Sequence, residues 1–265
     1  MNKPLMMIAA AAVLVACGNT ETTGTEATAE AAPVAEASSV EVTPISHATF
    51  VLTSADGVIY NDPVGGAEAF AGQPIADIIL VSDIHGDHLD TATLGALLRD
   101  GERTDAETQI VAPAAVIEQF PPYIVARTRQ MANGESAEVA GVRIVALPMY
   151  NLREEALKFH IKGRGNGYVL DGFGGERVYI AGDTEDIPEM RALEGIDRAF
   201  VPMNLPYTMP VDAAADAVVT FRPTIVHPYH YRGTEGLSDV GAFAKTVGDA
   251  GVGVEVVQLE WYPER

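Results

Sequence analysis

Apolar and polar positions alternate with a period of two over short stretches after residue 45, and with a helical period over several longer ones. HATFVLTS (47–54) and GVIYNDP (57–63) read as strands joined through Ala55-Asp56-Gly57, a short turn carrying the Asp-Gly pair that hairpins favour. Ile78 to Val81 is a continuous apolar run of strand length. TATLGALLRD (91–100) then takes the helical period, with Asp90 in front of it as an N-cap. QIVAP (109–113) and VRIVALP (142–148) read as strands, with AAVIEQF (114–120) a short helix between them. GYVLDG (167–172) and RVYIAGD (177–183) make a second hairpin around Gly174-Gly175. RAFVPM (198–203), TIVHP (224–228) and VEVVQLEW (254–261) read as strands that alternate with the helices VDAAADAVVTF (211–221) and LSDVGAFAKTVGDA (237–250). In each half of the chain hairpins come first and strand–helix alternation follows. That order implies the α/β class, as an αββα four-layer sandwich of two mixed β-sheets with outer helices. Periodicity alone fits a doubly wound sheet equally well, so the choice falls to the motifs.

The N-terminal segment stands apart from this pattern. In MNKPLMMIAAAAVLVAC (1–17), Lys3 is followed by an apolar stretch, Leu5 to Val15, too short to span a bilayer. It ends in Leu14-Val15-Ala16-Cys17, which resembles the lipobox of bacterial lipoproteins. The resemblance implies cleavage before Cys17, lipid on its thiol, and an extracytoplasmic, membrane-anchored protein on the periplasmic side of a bacterial envelope. An ordinary signal peptide with an incidental cysteine is the alternative. Cys17 is the only cysteine, so no disulfide can form within the chain. Residues 18–40 are rich in Thr, Ala and Glu and read as a disordered tether. Residues 41–265 are then the domain, long enough for a substantial core at 48% hydrophobic residues overall. A net charge of −20 excludes nucleic acid as a partner, because an acidic surface repels phosphate backbones. The expected partner is a small-molecule substrate, with membrane contact only through the lipid anchor. The sequence specifies no oligomeric state.

The chemistry concentrates in VSDIHGDHLD (81–90). Asp83 and His85 are two apart, so in extended backbone they share a face. Gly86 permits a tight turn that brings Asp87 and His88 towards the same point from the other side. Two donor pairs at this spacing can serve two metal ions. The six histidines, His47, His85, His88, His160, His227 and His230, all lie at or beyond strand ends or in polar turns, save that His227 falls inside TIVHP and reads as a core residue. RGNG (164–167) is too short and misplaced for a phosphate loop and reads as a turn.

Together with SHATFVL, PMYNLREEALKFHIKGRGNGYVL, YIAGDTEDIPEM, NLPYTMPVDAAADAV and HPYHYRG, this stretch resembles the metallo-β-lactamase superfamily, in particular the branch that includes ascorbate-6-phosphate lactonase. The resemblance implies two divalent transition-metal ions. Asp83 (where the usual pattern has histidine), His85 and His160 would hold the first, Asp87, His88 and His230 the second, and Asp183 would bridge them. His160 sits in a loop rather than directly after a strand, and the competing reading is that it only shapes that loop. Three carboxylates, where the pattern usually supplies two, move the donor set towards oxygen and make Mn or Fe candidates beside Zn. The implied activity is hydrolysis of an ester, lactone, amide or phosphodiester bond, with Asp87 and Asp183 orienting a water and taking its proton. His47, Asn151, Tyr207, Thr208 and Tyr231 are expected near the substrate. A non-catalytic metal- or ligand-binding lipoprotein that keeps the fold is the alternative.

Overall fold

The computed structural model describes residues 40–99 and 108–262. The expected signal segment, the lipidation site at Cys17 and the tether up to residue 39 lie outside the described residues. Val40, expected as the last residue of the tether, is already buried in the core.

The first sheet runs in chain order: β1 (Glu41–Ser46), β2 (Thr49–Ser54), β3 (Gly57–Asn61), β4 (Ile78–Leu80), β5 (Gln109–Ala112) and β6 (Thr128–Gln130). β1, β2 and β3 form an antiparallel meander, and β3 through β6 are parallel. Helices α1 (Thr91–Arg99), α2 (Ala114–Ile117) and α3 (Pro122–Val125) make the parallel crossovers. The second sheet repeats the plan. β7 (Ser136–Val139), β8 (Val142–Met149), β9 (Gly165–Phe173) and β10 (Glu176–Ile180) form a meander. The parallel strands β11 (Arg198–Pro202) and β12 (Ile225–Tyr229) follow, with α4 (Pro188–Arg191) and α5 (Val211–Phe221) in the connections. A two-residue ribbon, β13 (Arg232–Gly233) and β14 (Gly236–Leu237), precedes α6 (Val240–Asp249) and the edge strand β15 (Glu255–Val256). Two separate sheets rule out the doubly wound alternative.

The period of two explains the layers. On β2 and β4, Phe50, Leu52, Ile78 and Leu80 point into a cluster shared with Ile144, Leu170 and Phe200 of the second sheet. Their neighbours Val51 and Ile79 point the other way, onto Leu94 of α1, Val116 of α2 and Ile124 of α3. Phe50 and Phe200 stack across the sandwich with ring centroids 4.4 Å apart. α5 and α6 bury Val218, Phe221, Phe243 and Val247 against the second sheet.

Three local expectations change. VEVVQLEW pairs only at Glu255 and Val256, because Ile225 and Val226 of β12 are the partners that the register offers. The chain then leaves the sheet and buries Trp261 in the core. RGNG divides between Arg164 in the preceding loop and Gly165-Asn166-Gly167, which open β9. The turn after Asp83 closes through His85 O, which accepts from His88 N (3.0 Å) and Leu89 N (2.9 Å). Gly86 takes no left-handed φ there and a Cβ would meet nothing within 4 Å, so that turn does not require glycine. Asp90 does cap α1: its Oδ1 accepts from Ala92 N (2.9 Å) and Thr93 N (3.2 Å).

Candidate metal centre

The C-terminal ends of β3, β4, β10, β11 and β12, with the β8–β9 loop, deliver their following residues to one edge of the sandwich. Asp62 follows β3, Ser82 to His88 follow β4, and Gly182-Asp183 follow β10. Asn204 follows β11, His230 follows β12, and His160 and Arg164 come from the loop before β9. Five described non-glycine residues have positive φ, and three of them, His47 (57°), Asp62 (43°) and His230 (47°), are at this edge. Such backbone is disfavoured for L-residues and is held only where surrounding contacts fix it, which is common at functional sites.

His88, Asp183 and His230 form one buried donor group. His88 Nδ1 lies 2.8 Å from Asp62 Oδ2, and Asp62 is itself fixed by Ser82 N and Ser82 Oγ, each at 2.7 Å. With Nδ1 donating to Asp62, Nε2 faces Asp183 Oδ2 at 3.2 Å and His230 Nε2 at 3.1 Å. His230 is oriented in turn by the Asn204 side-chain amide, 2.9 Å from Nδ1, and its Nε2 lies 3.1 Å from Asp183 Oδ1. Asp87 closes this side, its Oδ2 3.5 Å from His230 Nε2 and 3.3 Å from His47 Nε2.

Asp83, His85 and His160 form the other group. Asp83 Oδ2 is 2.9 Å from His85 Nδ1 and 3.8 Å from His160 Nε2. His160 Nδ1 donates to Tyr207 O (3.1 Å), which leaves its Nε2 lone pair facing Asp183 Oδ2 at 3.0 Å. Asp183 therefore touches both groups through opposite oxygens and one shared atom. The left-handed Gly182 before it (φ 67°) aims the carboxylate inward, and a Cβ there would sit 2.7 Å from Met149 Sδ.

These residues fit a cation. His160 Nε2 and Asp183 Oδ1 are buried and hydrogen-bond to nothing among the described residues. Bare lone pairs and carboxylate oxygens about 3 Å apart repel unless positive charge lies between them. The electrostatics point the same way. Burial pushes the Asp183 carboxyl up, but its interactions with the His230, His88 and His160 imidazoles outweigh burial and hold it well below the usual carboxylate range. Asp87 and Asp83 are likewise lowered against burial, Asp87 by hydrogen bonds from His230 and His47, Asp83 by those from His85 and Arg164. Burial depresses His88, yet Asp183 and Asp62 raise it well above its ordinary value, so in a cation-free site it holds a second proton. His47 is lowered, chiefly by burial.

All seven expected donors, Asp83, His85, Asp87, His88, His160, Asp183 and His230, thus meet at one place, with His47 beside them. His160, which could have served its loop alone, reaches into the group. The expected substrate neighbours divide. Tyr207 lines a cleft of about 390 Å³ with Phe159, beside His85, Asp87, His160 and Asp183. The Phe159 and Tyr207 rings meet edge to face with centroids 5.1 Å apart. Asn151 is buried and spends its Nδ2 on Ala156 O (2.9 Å) and Tyr207 O (2.7 Å). Thr208 is buried against Asn204, and Tyr231 is buried edge-on to Tyr262. None of the three lines the cleft; Asn151 and Thr208 brace the lining residues Tyr207 and Asn204. His227 is a core histidine, stacked on Phe200 and bonded to Val257 O and Arg198; burial, with the Arg198 charge, lowers it to about 4. The sequence pattern left Asp62, Asn204 and Arg164 unmarked.

Residues 41–230 match the family model of the beta-lactamase superfamily domain. A UPF0173 metal-dependent hydrolase from Thermococcus onnurineus is 32% identical over 218 residues, covering 79% of this chain and 93% of that protein. A crystal structure of a candidate metal-dependent hydrolase from Parabacteroides distasonis is similar at 38% identity and a TM-score of 0.71, over 84% of this chain and 94% of the other. A metallo hydrolase from Ignicoccus hospitalis, at 22% identity and a TM-score of 0.66 over 83% and 94%, shares the fold. The chain belongs to the beta-lactamase superfamily and is one of its metal-dependent hydrolases.

Proposed function

We propose that the chain hydrolyses an ester, lactone, amide or phosphodiester bond of a small molecule at a centre of two divalent ions. Asp83, His85 and His160 would hold one, Asp87, His88 and His230 the other, and Asp183 would bridge them. The observation that carries this is the buried Asp183 carboxylate, which faces three imidazole Nε2 atoms, those of His88, His160 and His230, at 3.0 to 3.2 Å. Bound ions would supply Lewis acidity that makes water nucleophilic at neutral pH and charge that stabilises the developing oxyanion. Asp87 is the carboxylate open to solvent, with two-fifths of its side chain exposed, and it orients the attacking water and accepts its proton. His47, held by Tyr262 OH at 2.7 Å, fixes Asp87 for that role. Phe159 and Tyr207 give the substrate an aromatic wall.

Zinc, manganese and iron all suit a set of four imidazoles and three carboxylates. The resemblance of the sequence motifs to the lactonase-like branch would favour a lactone among the four bond types. Lipidation at Cys17, with residues 18–39 as tether, would hold the domain at the periplasmic face of a membrane. Purified full-length protein is expected to carry close to two transition-metal ions per chain and to turn over at least one member of a panel of lactones, esters, amides and phosphodiesters. Metal analysis that finds no transition metal in freshly prepared protein, and no uptake on adding zinc, manganese or iron, overturns the two-ion centre.

A further inference from the structure

Arg164 lies between the sandwich and the cleft, only 15% exposed, with its guanidinium turned onto the wholly buried Asp83. Nε donates to Asp83 Oδ1 at 3.0 Å and Nη2 to Asp83 Oδ2 at 2.7 Å, a two-pronged match of planar fork to planar carboxylate. Nη2 also donates to Phe159 O at 2.5 Å, the carbonyl just before His160. One guanidinium thus ties together Asp83 and the segment that carries His160.

The backbone fixes this pairing. Asn166 N donates to Ser82 O at 3.0 Å, so the start of β9 is pinned beside the residue before Asp83. At Gly165, between Arg164 and Asn166, a Cβ would fall 2.8 Å from Ser82 O and 2.4 Å from Met149 Cε, an approach only glycine allows. Arg164 therefore reaches Asp83 from a clamped strand end, although the two are far apart in sequence.

We propose that Asp83 and Arg164 work as one neutral unit in place of a histidine: the guanidinium cancels the carboxylate charge and takes one lone pair on each oxygen, and the remaining lone pair of Oδ2 is the single donor of the first metal position. Oδ2 is the oxygen turned to His85 Nδ1 and His160 Nε2. The first position then keeps the net charge an imidazole would give it while presenting oxygen. This rests on the two-ion reading above and adds a positioning residue, Arg164, that acts through Asp83.

The test exchanges the unit as a whole and in halves. Wild type, Asp83→His, and Asp83→His with Arg164→Met are loaded with manganese and assayed for ions per chain and for the spin-coupled signal of two bridged Mn(II) ions. Asp83→His alone leaves a buried guanidinium facing a dication without its counter-charge, so it is expected to fall from two ions to one and lose the coupled signal. The double variant is expected to recover both. Retention of two coupled ions by Asp83→His overturns the proposal, as does a double variant that stays at one ion with wild-type thermal stability. Should the double variant fail to fold, Arg164→Lys decides. It keeps the charge and loses the fork, and is expected to weaken the first ion at least tenfold in chelator competition while sparing the second. Unchanged affinity there overturns the proposal. A wild type without two ions removes the two-ion reading itself, whichever way the Arg164 variants behave.

Discussion

His88 and His230 are gripped from behind by Asp62 and Asn204, both buried and both within two residues of a strand end. The Asp83–His85–His160 group is held otherwise. Asp83 leans on an arginine from a loop, His160 on the Tyr207 carbonyl, and His85 is 39% exposed. Both groups meet on Asp183, yet one is preset by the sheets and the other is assembled by loop contacts. Orienting partners behind metal-binding imidazoles typically matter nearly as much as the donors themselves. The second position should therefore be the tighter and less adaptable of the two, and the first the one whose ion exchanges more readily.

The most drastic way to erase the distinction is Asp183→Ala. This removes the one carboxylate common to both groups, and both positions are expected to lose their ion together. Turnover should fall by on the order of a thousandfold, the upper range for losing one transition-state-stabilising group. Metal analysis and turnover on one preparation check it. Retention of one tightly bound ion would mean that one position is complete without Asp183.

A sharper cut is Asp62→Ala, which spares every donor and removes the carboxylate behind His88. Affinity at the second position is expected to drop about 10- to 100-fold, the usual cost of deleting such a partner. Competition with a graded series of chelators should show one class of site weakened and the other unmoved. Equal weakening of both would show that the two groups are not separately supported.

The same contrast has a pH signature. His88 has its pKa raised well above 6.5 in the cation-free protein, against burial, by Asp183 and Asp62. At neutral pH it is therefore protonated, and an ion that takes its Nε2 must displace that proton. Apparent affinity at the second position should weaken as pH falls, by about tenfold per unit for each proton released. Titration calorimetry in buffers of different ionisation enthalpy reports the released proton directly. For cation-free protein the sign reverses. A raised folded-state pKa stabilises fully below the unfolded value of 6.5, and that contribution is lost as pH climbs through the folded value. Apo protein should thus gain thermal stability on mild acidification while its ion affinity declines.

Much of this was legible in the chain, for local reasons. The donor spacing in VSDIHGDHLD works because four donors lie within one turn and its approach, so sequence distance stands in for spatial distance. The two-fold succession of meander and parallel strands was visible because side-chain period and turn chemistry are also local. Asp62 was not legible, since a lone aspartate near the end of GVIYNDP carries no signal until His88 is folded onto it. Arg164 was missed for the same reason on a longer scale: only the clamp of β9 against Ser82 reveals what it faces. The sequence shows Asp83 only as a third carboxylate in the donor set, and the fold places an arginine counter-charge beside it.

The smallest expected effect separates the donor loop from the helix that follows it. Asp90 caps α1 through the backbone nitrogens of Ala92 and Thr93, and its Oδ2 accepts from Thr93 Oγ1 at 2.6 Å. Asp90→Ala is expected to cost about 1 kcal/mol, the common value for a lost cap. In a domain of this size that lowers the thermal midpoint by about 2–4 °C. Metal content should not change, because His88 and Leu89 are already tied back to His85 O and His88 is held by Asp62, all upstream of the cap. If the first ion weakened along with the midpoint, the loop carrying Asp83 and His85 would depend on the helix start for its shape. An ion at the second position, which residues after β3 and β12 would anchor, should be indifferent in either event, and that asymmetry is the mildest form of the contrast between the two groups.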